Sequence, residues 1–246
     1  MKVLILAAGY GTRLYALVKD MPKVLLEINE KPLIDHLLDK LGGLKGLNEI
    51  IVVTNAKFYE IFQAWANRKQ KKAIPISVIN DGTTSPEDRL GSIGDVRFVL
   101  KKLNLNEDLL VVGGDNLFDY RLEDYHAFAI GKSPRVTIGL YDIKDKSKAS
   151  QFGVVGLDSL DKIISFDEKP KAPKSSLIAM CLYYMPKDSI HFIEDYIRET
   201  KNTDAAGSYI SWLSRQEDVF GFKFEGKWYD IGSVESYKAA QADFKS

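Results

Sequence analysis

The stretch Val3-Leu4-Ile5-Leu6-Ala7-Ala8-Gly9-Tyr10-Gly11-Thr12-Arg13-Leu14 decides the fold, and Pro22-Lys23 follows it. Its apolar start predicts a buried strand that runs directly into a turn of small residues. Gly9 and Gly11 lack a Cβ atom, so the backbone there can adopt positive φ and bring its N–H groups close to a ligand. Arg13 and Lys23 add two cations. A bare backbone loop followed by cations is typical of a polyphosphate site.

This loop has three alternative interpretations. A dinucleotide-binding fingerprint needs a third glycine where Leu14 stands, and a Walker A loop needs Gly-Lys-Ser/Thr, which is missing near this point. An ordinary tight turn explains a lone Gly-x-Gly pair best. The cations at positions 13 and 23 favour the polyphosphate site instead.

Composition limits the class of protein. The chain has 246 residues with 45% hydrophobic content, enough for a large α/β domain. Lys+Arg and Asp+Glu are equal at 34 each, so no basic field points to nucleic acid. The single cysteine, Cys181, excludes an intrachain disulfide and fits a reducing cytoplasm. The apolar start is too short to span a membrane and lacks a cleavage site. We therefore expect a cytoplasmic protein without a nucleic-acid or membrane partner.

Strands and helices alternate over the first half of the chain, with a predicted apolar helix face from Leu33 to Leu41 and a second buried strand at Ile50 to Val53. This order predicts a mainly parallel sheet with helices on both faces, and such sheets bind ligands beyond the carboxyl ends of their strands. The loop after the first strand, Asn80-Asp81-Gly82 and Gly113 to Asn116 all follow predicted strands, so we expect them to converge. The second half is richer in strands, and no clear linker divides it from the first. We predict one domain, 1–246, with two halves (about 1–120 and about 121–246). Ser233 is the predicted cap of a last helix, Val234 to Phe244.

Two aspartates are candidate metal ligands. Asp115 follows a buried strand and two glycines, and Asp230 lies between aromatic residues and a glycine turn. An isolated aspartate at such a place usually caps a turn. Beside a phosphate site, however, one or two carboxylates suit Mg²⁺, which completes its shell with phosphate oxygens and water. The three histidines are scattered and form no competing metal motif.

Glu168-Lys169-Pro170 ends a predicted strand. An exposed charged pair at a strand end is the simplest interpretation. Alternatively, Lys169 supplies a point charge for a phosphate, and Glu168 accepts hydrogen bonds from sugar hydroxyls. A phosphorylated sugar would use both side chains.

Taken together, these motifs resemble the sugar-1-phosphate nucleotidyltransferases (NDP-sugar pyrophosphorylases), particularly those of the glucose-1-phosphate thymidylyltransferase and mannose-1-phosphate guanylyltransferase types. The likeness covers nearly the whole chain and includes five motifs in the family's order. They are Leu6 to Leu14 with Pro22-Lys23, Gly114-Asp115, Phe152-Gly153-Val154-Val155, Glu168-Lys169-Pro170 and Trp228-Tyr229-Asp230-Ile231-Gly232.

The resemblance implies a Rossmann-like nucleotidyltransferase fold with three layers and a mixed, mainly parallel sheet. It implies a soluble enzyme that uses an NTP and a sugar-1-phosphate, with Mg²⁺ as cofactor, and relatives often form homo-oligomers. The catalytic residues it implies are Arg13, Lys23 and Lys169, and the metal ligands are Asp115 and Asp230. It implies that the second half (about 121–246) binds the sugar phosphate, with Gly153, Glu168 and Lys169. It implies that the first half (about 1–120) binds the nucleotide, with Ala8, Gly9, Gly11, Thr12, Asn80, Asp81, Leu90 and Gly91.

The nucleobase is left open at this point. Thymidylyl- and uridylyl-type relatives often carry a glutamine where this chain has Asn80-Asp81; the segment Glu87 to Gly94 instead looks like a variant of the Leu-Gly-Thr-Ala-Gly loop of guanylyltransferases. Two other functions also stay open, namely transfer to a non-sugar acceptor such as phosphocholine and a silent nucleotide-sugar sensor. A sensor would normally have lost one of the four charged residues at 13, 23, 115 and 230, and all four are present.

Overall fold

The computed structural model describes residues 1–14, 21–69 and 74–244. Within these ranges the chain forms two compact units. The first unit contains residues 1–90, 112–123 and 226–246, and the second contains residues 91–111 and 124–225. The predicted halves overlap these units, with segments 91–111 and 226–246 exchanged between them. Each unit is therefore built from separate stretches of chain.

The first unit carries the strands of the N-terminal part of the chain. Its elements are β1 (Lys2–Leu6), β2 (Glu27–Ile28), β3 (Lys31–Pro32), α1 (Leu33–Leu41), β4 (Glu49–Thr54), α2 (Tyr59–Lys69), β5 (Ile76–Asn80), β7 (Asn116–Phe118), β13 (Trp228–Asp230) and α7 (Val234–Asp243). Strand β6 (Leu109–Gly113) begins in the second unit and ends in this one. The strand order here is β6-β1-β4-β5.

Strands β1, β4 and β5 pair in parallel, with Leu4 opposite Ile51 and Val52 opposite Val78. The middle residues of β1 and β4 are completely buried. Strands covered on both faces cannot alternate apolar and polar residues, which explains the continuous apolar runs in the sequence. Helix α1 buries Leu33, Leu37 and Leu41 at helical spacing. The predicted strands and the α1 stripe are confirmed.

The C-terminal segment completes the first unit. Strand β13 pairs antiparallel with β7, and Ser233 caps α7 in a reciprocal capping box with Ser236. Ile231, Ala240 and Phe244 are then buried against apolar residues from the other two segments of the unit, namely Leu14, Leu26, Ile28, Leu33 and Leu117. The predicted cap at Ser233 is confirmed.

The second unit is a mixed sheet with four helices. Its elements are α3 (Ser92–Lys102), the first part of β6, α4 (Glu123–Lys132), β8 (Thr137–Asp142), β9 (Gly153–Leu157), β10 (Ile163–Glu168), β11 (Leu177–Met185), α5 (Phe192–Thr200), α6 (Ala206–Gln216) and β12 (Phe220–Phe224). The order is β10-β9-β11-β6; β8 also pairs with β11, and β12 with β8. Strand β9 pairs antiparallel with β10 and with β11, and β11 pairs antiparallel with β8. Strands β8 and β12 pair in parallel.

Helix α4 and strand β7 were not anticipated from the sequence. Only Tyr125, His126 and Ala129 of α4 are buried, so the helix lacks a clear apolar stripe. A tertiary contact holds it instead, because the Tyr125 hydroxyl donates to the Thr137 carbonyl and accepts from the Tyr184 N–H. The three residues of β7 are too few to show a period.

The prediction of an α/β fold with a mixed sheet and flanking helices is confirmed. Among the described helices, we find none with the length and apolar character that a membrane crossing requires.

Candidate active site

The loop after β1 is held from its inner side. The Asn55 side chain, directly after β4, donates from Nδ2 to the Ala8 carbonyl at 2.9 Å. Gly11 has a φ of +64°, the left-handed conformation that favours glycine. Its carbonyl accepts from the Leu14 N–H at 2.8 Å, which closes the short 3₁₀ turn Thr12–Leu14. The positive φ that the sequence suggested is thus found at Gly11.

The outer side of the same loop is open. Gly9 is exposed, and a Cβ atom built on it would meet nothing within 4 Å. Thr12 and Arg13 are exposed as well, whereas Leu14 is buried. The buried leucine anchors the turn while its polar neighbours face solvent, which is the arrangement that a phosphate-binding loop needs.

Lys23 begins a second 3₁₀ turn, Lys23–Leu25, and its ammonium donates to the carboxylate of Asp115. Burial by itself lowers the pKa of Lys23. The opposite charges of Asp115 and then Asp230 outweigh burial, so the pKa of Lys23 is raised despite the nearby Arg13. Lys23 is therefore a permanent cation at neutral pH.

Gly114 brings Asp115 to this point. Its N–H donates to the Leu6 carbonyl at 3.0 Å, at the end of β1. A Cβ atom on Gly114 would lie 3.0 Å from both that oxygen and Cγ1 of Val24. Because the backbone passes so close to β1, only glycine fits without a shift of its neighbours. The second glycine of Gly113-Gly114 thus places the aspartate beside the first loop.

Asp230 lies next to Asp115 through the backbone. It is the last residue of β13 and pairs with Asn116, while the following Ile231 donates its N–H to the Asp115 carbonyl at 3.0 Å. A Cβ atom on Gly232 would be 3.5 Å from Asp230 Oδ2 and 3.7 Å from Arg13 Nη2. Two carboxylates and two cations thus lie together at the loop. Asp115 is 92 positions from Lys23 in the sequence, and Asp230 is 217 positions from Arg13.

The two carboxylates fit a divalent cation. In the described ranges no group of three or more His, Cys, Asp or Glu side chains forms a complete metal cage. Mg²⁺ does not require one, since it commonly takes one or two carboxylates and fills its remaining positions with phosphate oxygens and water. In this structure the Lys23 ammonium supplies the positive charge next to Asp115. Asp115 and Asp230 are therefore suitable ligands for a metal that arrives with a phosphate.

The loop after β5 is tied to the first loop. Asp81 is buried, and its Oδ1 accepts from the Thr83 N–H at 2.7 Å and from the Thr83 hydroxyl at 2.8 Å. The half-buried Asn80 accepts from the Gly82 N–H at 2.8 Å. The Tyr10 hydroxyl donates to Thr83 Oγ1 at 3.1 Å. Both predicted base contacts thus also shape their own turn, and Tyr10 joins that turn to the glycine loop.

Leu90 is half-buried and is the last residue of the first unit's N-terminal segment. Gly91 is the first residue of the second unit. Gly91 has a φ of +81°, and a Cβ atom there would lie 2.5 Å from Thr203 O and Asp204 Cα. The carbonyls of Thr203 and Asp204 accept from the first N–H groups of α3. Hence the N-terminus of α3 is capped by the chain itself.

The predicted sugar-phosphate residues come together in the second unit. Gly153 of β9 pairs with Glu168 of β10. Lys169 has a φ of +46°, unusual for a residue with a side chain, and its N–H donates to the Phe152 carbonyl at 3.0 Å. Lys169 Nζ lies 3.8 Å from Glu168 Oε1. Burial raises the pKa of Glu168, partly offset by the Lys169 charge. An exposed lysine beside a largely buried carboxylate suits a phosphate next to hydroxyl groups.

Sequence reasoning missed three residues that shape these loops: Asn55, Tyr10 and Thr83. Asn55 carried a signal, since it is a polar residue directly after a fully apolar strand. The bond between Tyr10 and Thr83 links positions 73 apart, and no local pattern announces it.

The sequence matches a known protein family and several curated relatives. The family described as "Nucleotidyl transferase" matches residues 2–246. The chain is 30% identical over 249 residues to a glucose-1-phosphate adenylyltransferase of Thermosipho africanus, covering 95% of this chain and 59% of that protein. It is 28% identical over 232 residues to the bifunctional protein GlmU of Methanocaldococcus jannaschii, covering 94% and 51%. The chain thus spans little more than half the length of these curated relatives.

The fold has a counterpart among solved structures. A UDP-glucose pyrophosphorylase complexed with UDP-glucose superposes with a TM-score of 0.80 at 22% identity, covering 98% of this chain and 97% of that one. The predicted Rossmann-like nucleotidyltransferase fold is confirmed. With the signature loop, both aspartates and the match over residues 2–246, the chain belongs to the nucleotidyl transferase family.

Proposed function

We propose that this protein transfers a nucleotidyl group from an NTP to a sugar-1-phosphate, most naturally a hexose-1-phosphate, and releases pyrophosphate. The observation that carries the proposal is the gathering of Arg13, Lys23, Asp115 and Asp230 at the open glycine loop after β1. Charges of both signs around bare backbone suit a triphosphate and its metal better than they suit a structural ion pair.

The first unit binds the nucleotide in this proposal. The backbone of Ala8, Gly9, Gly11 and Thr12 approaches the phosphates, since the outer side of the loop is free of side chains at Gly9. Arg13 offsets the charge of the departing pyrophosphate. Lys23, kept protonated by two carboxylates, offsets the charge around the α-phosphate.

Enzymes of this family generally use a divalent metal, and Asp115 and Asp230 would hold Mg²⁺ here. When bound, such an ion neutralises phosphate charge and orients the phosphate groups.

The second unit binds the sugar phosphate. Lys169 provides a point charge for the phosphate, and Glu168 accepts hydrogen bonds from hydroxyl groups of the sugar. Gly153 offers its backbone at the position paired with Glu168.

The chemistry needs no protein nucleophile. An oxygen of the sugar phosphate, already anionic, forms a bond to the α-phosphorus while the bond from that phosphorus to the β-phosphate oxygen breaks. The electron pair leaves with pyrophosphate, and no proton has to be removed from the nucleophile. Catalysis therefore depends on positioning and on neutralisation of charge. An NTP substrate and the single cysteine fit the cytoplasm.

The base contacts belong to the segment from Asn80 to Gly91. Asp81 is buried and engaged by Thr83, so Asn80 is the better exposed of the two polar candidates. Leu90 and Gly91 would contribute apolar and backbone contacts. Asn80 has both amide donors and a carbonyl acceptor, so its chemistry alone does not select one base.

The test is a matrix of ATP, GTP, CTP, UTP and dTTP against several sugar-1-phosphates, with phosphocholine as a non-sugar acceptor. Pyrophosphate release with Mg²⁺ is measured, with and without EDTA. We expect release with at least one sugar-1-phosphate and none with phosphocholine. Release only with phosphocholine would replace the sugar acceptor, and binding of an NDP-sugar without any release would indicate a sensor.

A further inference from the structure

The carboxylate of Glu168 is confined between two glycines of the second unit. Only 22% of its side chain is exposed. On one side stands Gly153 of β9, and on the other Gly207 in the first turn of α6. Gly207 approaches Glu168 more closely than a residue with a side chain can, and Gly153 borders it at a tight distance.

Gly207 makes the tighter approach. A Cβ atom built there would lie 1.9 Å from Glu168 Oε2 and 2.7 Å from Cδ. These distances are far below any non-bonded contact, so the carboxylate occupies the place where a side chain of residue 207 would be. An alanine at this position and the present conformation of Glu168 exclude each other.

Gly153 closes the opposite side. A Cβ atom on it would lie 2.4 Å from Phe166 Cζ and 3.2 Å from Glu168 Oε2. The Phe166 ring therefore fills most of the space that Gly153 leaves, and Glu168 borders the rest. Strand β10 itself is tied to α6, because the Ser211 hydroxyl donates to the Phe166 carbonyl at 3.0 Å.

The backbone does not require glycine at position 207. Gly207 lies within α6, and its φ is not in the left-handed region where glycine is favoured. Glycine destabilises a helix relative to alanine. The space taken by Glu168 is thus the structural reason for this glycine. A carboxylate next to the first turn of a helix also benefits from the helix dipole.

We propose that Gly207 is a positioning residue for Glu168. Because position 207 has no side chain, the carboxylate can stay where it accepts hydrogen bonds from the sugar of the acceptor. The sugar role of Glu168 rests on the proposed function, whereas its confinement by Gly207 rests on geometry alone. Gly207 contacts no substrate in this proposal and acts only through Glu168.

The test compares Gly207→Ala with Gly131→Ala. Gly131 is also helical, in α4, and a Cβ atom there would meet nothing within 4 Å. For Gly207→Ala we expect the KM for the sugar-1-phosphate to rise about tenfold, on the scale of a lost hydrogen bond to a charged group. The KM for the NTP should change little. Gly131→Ala should leave both KM values unchanged.

A double variant separates positioning from general damage. In Glu168→Ala the carboxylate is gone, so adding Gly207→Ala should cause no further rise in the KM for the sugar-1-phosphate. If Gly207→Ala alone does not fold, Glu168→Ala/Gly207→Ala should fold, because the clash is removed. A double variant that fails to fold, or that adds the two effects, overturns the proposal.

A readout without substrate keeps the two proposals distinguishable. The Glu168 carboxyl carbon can be titrated by NMR, with its signal assigned from Glu168→Gln. We expect its pKa to fall in Gly207→Ala, because the carboxylate is forced out towards solvent. A fall in pKa without activity in any variant would support Gly207 as a positioning residue and reject the proposed function. Activity with unchanged pKa and KM in Gly207→Ala would reject the positioning role alone.

Discussion

Ile231 donates its backbone N–H to the carbonyl oxygen of Asp115 at 3.0 Å. This bond fixes the backbone of the second aspartate's segment against that of the first. The fold itself therefore brings Asp115 and Asp230 together before a ligand binds, and such preorganisation favours catalysis.

Replacing either aspartate should therefore abolish most activity and leave the fold intact. We expect Asp115→Asn and Asp230→Asn each to slow pyrophosphate release about 100-fold or more, the scale seen when one electrostatic partner is removed. Asp124→Asn, on an exposed position of α4, is the matched control and should release pyrophosphate at the wild-type rate. Near-normal release by either site variant would refute the metal assignment.

Lys169 should act on one substrate only. We expect Lys169→Ala to raise the KM for the sugar-1-phosphate about tenfold, with a much smaller effect on the KM for the NTP, because the lost charge faces the acceptor phosphate. Lys171→Ala removes an equally charged, exposed neighbour and should change neither value. Equal effects on both substrates would place Lys169 elsewhere in the reaction.

Glu168 should make stability depend on pH. Burial raises its pKa above the ordinary value of 4.5, so its contribution to stability is complete below that value and is lost as pH rises through the folded pKa. Glu168→Gln removes this titration. We expect wild type and Glu168→Gln to melt alike in acid, and Glu168→Gln to melt higher at pH 7.

The measurement is thermal unfolding at several pH values, followed by circular dichroism. Glu87→Gln, at an exposed position, serves as control and should follow wild type throughout. Lys169 and the buried Tyr183 and Tyr196 are the titratable neighbours that sense Glu168. Burial raises the pKa of Tyr183 and of Tyr196, so both hydroxyls stay protonated between pH 4 and 8 and the difference reports Glu168. A melting difference that does not vary with pH would contradict the prediction.

Tyr10 should matter to nucleotide binding. Tyr10→Phe removes the hydroxyl that donates to Thr83, at a cost of about 1 kcal/mol, and loosens the link between the glycine loop and the loop after β5. We expect the KM for the NTP to rise several-fold at unchanged KM for the sugar-1-phosphate. Tyr59→Phe removes a hydroxyl that accepts from Gln63 within α2, and isothermal titration with NTP should not distinguish it from wild type.

The sequence was a good guide to elements with strong periodicity. The strands around Leu4 and Ile51 and the helix from Leu33 to Leu41 carry long apolar patterns, and they form as predicted. Helix α4 was not predicted, because it has no apolar stripe and is held instead by two hydrogen bonds of the Tyr125 hydroxyl.

At the candidate site, motif spacing identified residues but not their neighbours. The approach of Asp115 to Lys23 joins positions 92 apart, and Gly207 meets a residue 39 positions away. Such contacts depend on how strands and helices pack, which a local pattern does not encode. The predicted roles of these residues stay predictions, whereas the convergence of Arg13, Lys23, Asp115 and Asp230 is now described.

The first unit consists of three separate segments of the chain, so it can be completed only late in synthesis. Ile231, Ala240 and Phe244 complete an apolar cluster that begins at Leu14. During synthesis, that cluster stays incomplete until more than two hundred residues have been added, while the long segment 124–225 is already available to fold. Chains truncated after residue 225 should therefore protect segment 124–225 from proteases better than residues 1–90.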